Sequence, residues 1–157
     1  MSDDETFENV ESGSSLTFPA SAGSLKKGDF VCIKGHPCKI IELTTSKTGK
    51  HGHAKANITA VDIFTSKKYE EVSPSSHSLP APFVKSTNYQ LLDIAHDGHV
   101  SLMDDEAETR DDIKLPENEE LAGQIKDAYD AGKSLVVSVV GAMGIEQILS
   151  FKLEASS

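Results

Sequence analysis

Short β-branched runs separated by turn residues constrain this chain more than any other feature. Residues 30–33 (Phe-Val-Cys-Ile) follow Lys27-Gly28-Asp29 and precede Gly35-His36-Pro37; residues 38–44 and 57–64 are two further runs, the last ended by Thr65-Ser66-Lys67. Strands of this length at this spacing predict a small antiparallel barrel. A second β unit follows, in which residues 89–94 and 100–103 flank Asp97-Gly98, a favoured hairpin pair, and residues 134–140 and 146–153 close the chain. Leu121, Ile125 and Ala128 at i, i+4 and i+7 predict one helix over 117–131, with Pro116 at its start and Gly132 able to end it. A five-strand-like unit with one inserted helix is compatible with an oligonucleotide/oligosaccharide-binding (OB) barrel, although the pattern does not single out that fold.

Residues 73–82 are the densest Pro/Ser stretch. Proline donates nothing to a ladder and biases its predecessor away from helix, so a boundary is expected near Phe83. Residues 1–24 are Ser-, Gly- and acid-rich with no sustained period and predict a flexible acidic tail. The expected organisation is therefore a tail over 1–24, a barrel over 25–83 and a second barrel domain over 84–157. With no Trp and nine aromatics, both cores must rest mainly on Val, Ile and Leu.

The net charge of −10 argues against nucleic acid as a partner until its distribution is read. Residues 1–24 carry five acids and no base; residues 25–85 carry ten Lys against five acids; residues 86–157 carry five bases against fifteen acids. A basic module thus stands between two acidic stretches, and at a Debye length of about 8 Å the local patch governs docking. The surplus lysines are equally read as solvation of a barrel surface. Cys32 and Cys38 cannot form a disulfide framework and read as free thiols of a reducing compartment. No apolar run approaches the roughly 20 residues of a membrane span, and Met1-Ser2-Asp3-Asp4-Glu5 lacks the order of a secretory signal. A soluble, intracellular protein with no membrane partner is expected. Ser2 before three acids has the look of an acid-directed phosphorylation site, a pattern also common by chance.

Residues 44–55, Thr-Thr-Ser-Lys-Thr-Gly-Lys-His-Gly-His-Ala-Lys, join two predicted strands and should form a hairpin tip. Gly49 and Gly52 bracket Lys50-His51; glycine leaves bare backbone, so the tip is open and presents one lysine. The plain alternative is a soluble basic loop. His51 and His53 without a nearby Cys or carboxylate fall short of a structural zinc site, so no metal is expected. A phosphate-cradling Walker loop fails, because Thr44 stands where its first glycine belongs and His51 where Ser or Thr must follow the lysine. No nucleophile elbow or Ser/His/Asp order is present, and Asp104, Asp105 and Glu106 read as a solvated turn. No catalytic residue is assigned; an enzyme with a lysine-centred site and a single-strand RNA-binding module are the classes the loop leaves open. The latter needs stacking aromatics, which are sparse here.

Ser46-Lys47-Thr48-Gly49-Lys50-His51-Gly52-His53-Ala54-Lys55 resembles the hypusination loop of the eukaryotic translation initiation factor 5A family. The resemblance continues through residues 61–65, 67–70, 88–91 and 142–144 and covers about residues 15–155. It implies a mainly β protein: an SH3-like barrel over 25–83 and an OB-fold over 84–157. It implies that Lys50 receives an aminobutyl group from spermidine through deoxyhypusine synthase and is then hydroxylated by deoxyhypusine hydroxylase, with no other cofactor. Lys47, Thr48, Gly49, His51, Gly52, His53 and Lys55 match the loop used for modification or ribosome contact. The implied role is in elongation and termination, with the factor in the ribosomal exit site contacting rRNA and the P-site tRNA. A monomer in the cytoplasm, or also in the nucleus, is the corresponding expectation. Two departures are that Ser66 stands where a glycine is usual and that residues 72–82 diverge.

Overall fold

The computed structural model describes residues 16–47 and 54–154. They form two compact units that divide between Val84 and Lys85. The first runs β1 (Thr17–Ser21), a 3-10 turn (Ala22–Ser24), β2 (Phe30–Ile33), β3 (His36–Lys47), β4 (Ala54–Asp62), β5 (Lys68–Pro74) and β6 (Ser78–Pro82). The second runs β7 (Val84–Ile94), β8 (His99–Met103), β9 (Thr109–Lys114), helix α1 (Glu119–Asp130), β10 (Leu135–Ala142) and β11 (Ile145–Leu153). The fold is mainly β, an SH3-like barrel followed by an OB-fold with one inserted helix.

In the first unit the sheet order is β2-β3-β4-β5, with β1 and β6 forming a separate antiparallel ribbon. Alternation on β4 turns Ala56, Ile58 and Ala60 inward to meet Val31, Ile33, Cys38 and Ile40, each buried aliphatic of this size contributing about 1.5–3 kcal/mol. Ile33 pairs with His36 across Lys34 (φ 53°) and Gly35 (φ 82°). Two consecutive residues at positive φ give the tight turn whose twist matches the strands. On β3 the pairing jumps between Ile40 and Glu42, so Ile41 is the extra residue of a bulge and stands exposed. The bulge bends the strand, as barrel curvature requires.

Two expectations are corrected here. The acidic tail does not extend to residue 24: Thr17–Ser21 is β1, paired in register with Ser78–Pro82. Nor is the Pro/Ser stretch a bare boundary, since it supplies the end of β5 and all of β6. The reason is register. Hydrogen bonds from Ala22 N–H to His77 O and from Phe83 N–H to Leu16 O flank the ribbon. In an antiparallel ladder bonded and non-bonded pairs alternate, so Thr17/Pro82 and Pro19/Pro80 fall on non-bonded pairs. Pro19, Pro80 and Pro82 therefore forgo no ladder bond, and proline is tolerated.

In the second unit the order is β11-β10-β7-β8-β9. Its core gathers Leu91, Val100, Leu102, Ile113, Leu135, Val137, Val139 and Ile148 around Ile125 of α1. The Asp97-Gly98 pair closes a three-residue hairpin loop: Gly98 N–H bonds Ala95 O, and Gly98 (φ 93°) takes the left-handed position. Helix α1 starts two residues later than expected because Asn118, rather than Pro116, sets its start; the Asn118 side chain accepts from Leu121 N–H at 3.0 Å. It ends as expected at Gly132 (φ 78°), where Gly132 N–H bonds Tyr129 O and Lys133 N–H bonds Ala128 O, a pattern that satisfies the last carbonyls. Strand β9 was not foreseen. Among its six residues (Thr-Arg-Asp-Asp-Ile-Lys) only Ile113 is buried, too little apolar signal for a strand. Asp104 accepts N–H bonds from Glu106 and Glu108, making the acidic segment before β9 a turn.

The outermost strands of this sheet, β9 and β11, are joined by Arg110. Its guanidinium meets Asp112 at 2.7 Å and Glu146 at 2.8 Å and also bonds the Tyr89 hydroxyl. That pairing holds both carboxyls below the usual carboxylate range. Depressed folded-state values contribute stability above the unfolded carboxylate range and lose it as pH falls through the folded values. Arg110→Met should therefore lower stability at pH 7 by about 1 kcal/mol, the upper end for a part-exposed network. The gap from wild type should shrink on going to pH 3, and paired urea melts at both pH values test this; a constant gap would show that the ion pairs carry none of it.

A second expectation concerns Ser66, which holds φ 66° in the β4–β5 turn. The left-handed region costs a non-glycine residue about 1–2 kcal/mol, and glycine's looser unfolded chain returns about 0.4–1 kcal/mol of that. Ser66→Gly should stabilise the protein by about 0.5 kcal/mol; a lower melting temperature would refute the strain.

Candidate functional site

The β3–β4 hairpin carries the residues singled out in the sequence. Its last pairs are Ser46/Lys55 and Lys47/Ala54. Six residues join Lys47 to Ala54, and of the expected site Thr48, Gly49, Lys50, His51, Gly52 and His53 lie among them, outside the described residues; so does Ser2. The described part is the platform that holds this connection. Lys55 is exposed on β4 beside the buried Ala56. On its other edge β4 is paired with β5 as far as Lys55/Pro74, and Ser75 N–H bonds Ala54 O at 2.9 Å. Asn57 Nδ2 donates to Ser46 Oγ at 3.2 Å across the hairpin. The connection thus springs from a three-stranded base and not from a free two-stranded ribbon, which on its own is marginal in water.

At the other end of the same strands lies a cluster the sequence reading did not assemble. Asp62 is buried, with Oδ1 accepting from Phe64 N–H and Thr65 N–H and Oδ2 3.1 Å from His36 Nδ1. His36 stacks on Tyr69 with ring centroids 4.9 Å apart, and Lys67 Nζ stands 5.6 Å from the Tyr69 centroid. Ile63 N–H bonds Pro37 O, which locks the β4–β5 turn against the start of β3. No spacing rule links residues 36, 62 and 69; they meet only because the strand ends do.

The cysteines behave as interior residues. Burial pushes the Cys32 thiol up, and burial followed by the nearby Asp62 carboxylate pushes Cys38 up to about 11. Cys38 donates to His36 O at 3.4 Å. Since Cys32 lies opposite Pro37 and Cys38 opposite Val31, neighbouring rungs place the two thiols on opposite faces of the sheet.

Comparison with known proteins agrees with the sequence resemblance. Residues 15–77 match the family described as "Translation initiation factor 5A-like, N-terminal", and residues 83–152 match "Eukaryotic elongation factor 5A hypusine, DNA-binding OB fold". The chain is 57% identical over 162 residues to eukaryotic translation initiation factor 5A of Trypanosoma brucei brucei, covering 97% of each chain. It is 54% identical to factor 5A-1 of Arabidopsis thaliana, again over 97% of each. Among solved structures, a family protein of Naegleria fowleri superposes with a TM-score of 0.83 at 54% identity, covering 88% of this chain and 99% of that one. The Methanococcus jannaschii factor gives 0.66 at 33% identity, covering 87% and 95%.

The thiolate is the reactive form of cysteine. At pH 8 a thiol with the Cys38 value is ionised to about one part in a thousand. Both cysteines should therefore stay unlabelled by iodoacetamide in the native protein and label fully in urea, as read by mass; rapid native labelling would show that the sheet does not bury them.

Proposed function

Because the chain belongs to the eukaryotic translation initiation factor 5A family, whose members are translation factors and not enzymes, we propose that Lys50 is its hypusine site. The modified side chain then positions peptidyl-tRNA on the ribosome, relieving stalls at proline runs and aiding release. The observation that supports this reading is the position of Lys50 in the six-residue connection of a hairpin whose β4 arm is also paired with β5, on a module of ten lysines against five acids. Lys47 and Lys55, at and beside the last hairpin pair, are proposed to flank the RNA it meets, and Thr48, Gly49, His51, Gly52 and His53 to form the surface read by deoxyhypusine synthase and hydroxylase. Among the described residues no helix is long and apolar enough to cross a membrane.

The chemistry of the extension supports such a role. An aminobutyl group lengthens lysine by about 6 Å, from standard bond dimensions, and adds a second ammonium. A cation–phosphate contact at 4 Å is worth about 1 kcal/mol in bulk water but about 4 kcal/mol at an effective dielectric of 20, before desolvation. A long dication therefore has most effect in a crowded RNA cleft. Holding two reactants in place contributes up to about 7–11 kcal/mol in favourable chemistry, of which a part suffices here; the ribosome performs the bond making. Proline is a rigid secondary-amine acceptor, so its positioning limits the step.

Modified protein should accelerate a triple-proline message in reconstituted translation far more than a matched alanine message, and unmodified protein should lose most of that gain. Lys50→Arg should keep the fold and the charge but accept no aminobutyl group, because arginine does not deprotonate at cellular pH. Equal acceleration of both messages, or full activity of the Arg variant, would reject the assignment.

A further inference from the structure

The pairing register sorts the outward-facing residues of the first unit's sheet into rungs. Lys39, Val61 and Lys68 share one rung. Glu42, Thr59 and Glu70 form the next, Thr44, Asn57 and Val72 the third, and Ser46, Lys55 and Pro74 the last, beside the Lys50 connection. The outer face therefore reads basic, acidic, neutral, basic. From Val61 to Lys55 the strand rises about 20 Å, more than twice a physiological Debye length. Two cationic patches stand at opposite ends of the strands, with a pair of carboxylates between them.

The far patch gains further charge from the two turns locked together there. Lys34 in the β2–β3 turn and Lys67 in the β4–β5 turn are exposed, as are Lys39 and Lys68. Among the described residues none of these four lysines pairs with a carboxylate. Of the nearby acids, Asp62 is buried with both oxygens occupied and Asp29 Oδ2 accepts from Lys26 N–H at 2.9 Å, while Glu42 and Glu70 stand on the next rung of the same face. Four exposed lysines thus stand at this end of the sheet with no ion pair among the described residues, beside the stacked His36 and Tyr69.

We propose that this foot of the barrel, Lys34, Lys39, Lys67 and Lys68, is a second RNA-phosphate contact, separate from the Lys50 tip and engaging a different stretch of RNA backbone. The Glu42/Glu70 rung repels phosphate, so one strand cannot run continuously along the face between the patches. The tip supplies the action and the foot supplies sequence-independent affinity, since lysine contacts to phosphate carry no base information. This rests on the proposed function for the source of the RNA, a ribosome.

The test uses full-length unmodified protein, ribosomes and protein-free ribosomal RNA, with affinity measured from 50 to 200 mM salt. K67Q/K68Q should weaken binding to both probes by roughly 10- to 30-fold at 150 mM salt and lower the log–log salt slope by about 1.5–2. K34Q/K39Q, a second variant on the other turn and strand, should do the same, while K114Q/K126Q in the second unit should change affinity less than about 2-fold. E42Q/E70Q should tighten binding. Urea midpoints equal to wild type establish that folding is intact. Unchanged affinity and slope in both foot variants, or an equal loss in K114Q/K126Q, overturns the proposal. Loss on ribosomes with none on protein-free RNA also overturns it, because the partner is then an acidic protein surface. If the foot variants bind normally while modified wild-type protein still accelerates the triple-proline message, this inference falls and the role of Lys50 stands. If modified protein gives no acceleration but the foot variants lose RNA binding, the reverse holds.

Discussion

Strand β4 is paired along both edges, and the first unit depends on that double pairing. Ala56, Ile58 and Ala60 face the core while Lys55, Asn57, Thr59 and Val61 face outward. Because the side-chain period is two, a slip of one residue against β3 or β5 would exchange the two sets. Burial of the aliphatic set thus holds the register, and the register in turn decides which charges share a rung. The braced base beneath the Lys50 connection and the separation of the two lysine patches follow from the same alternation.

A barrel with so few aromatics closes by devices other than bulk. In the first unit a bulge at Ile41 bends β3, and the β1–β6 ribbon accommodates its prolines on non-bonded pairs. In the second unit a bulge at Leu92 bends β7, and Arg110 ties β9 to β11 through Glu146. These bulges also explain why Ile41 and Leu92 are exposed apolar residues. Each is the extra residue of a bend. Ser66 illustrates the tolerance of such a scaffold: the turn demands a left-handed residue, and the Asp62 carboxylate, bonded to Phe64 and Thr65 N–H, holds the turn while a serine occupies that position.

Charge is distributed to match. The unit bearing Lys50 carries Lys34, Lys39, Lys67 and Lys68 at one end of its sheet and Lys55 at the other, whereas the second unit is rich in acids, many of them committed locally. Asp104 closes a turn, Asp112 and Glu146 hold Arg110, and Asp93 accepts from the Tyr129 hydroxyl at 2.6 Å. Those acids are held within their own unit by local hydrogen bonds and ion pairs.

Much of the fold was legible in the sequence because local chemistry spoke for it. Residues 30–33, 38–44 and 57–64 are β-branched runs bounded by turn residues and so read as strands, Gly132 ends α1 where expected, and the loop around Lys50 identified the family by its own residues. Strands β1, β5, β6 and β9 were not legible: Pro19, Pro80 and Pro82 argue against strand locally, and Thr109–Lys114 and Lys68–Pro74 carry too few apolar residues. Strands β5 and β9 form by pairing onto β4 and β8, and β1 and β6 by pairing with each other, partners that no local window contains. Likewise His36, Asp62 and Tyr69 meet, and Lys34, Lys39, Lys67 and Lys68 form one patch, only because antiparallel pairing brings two turns to the same end of the sheet. The sequence by itself determined the composition of the strands and the identity of the lysine loop. Tertiary structure alone decided which strands share an edge and which charges stand together, since both depend on register across long sequence separations.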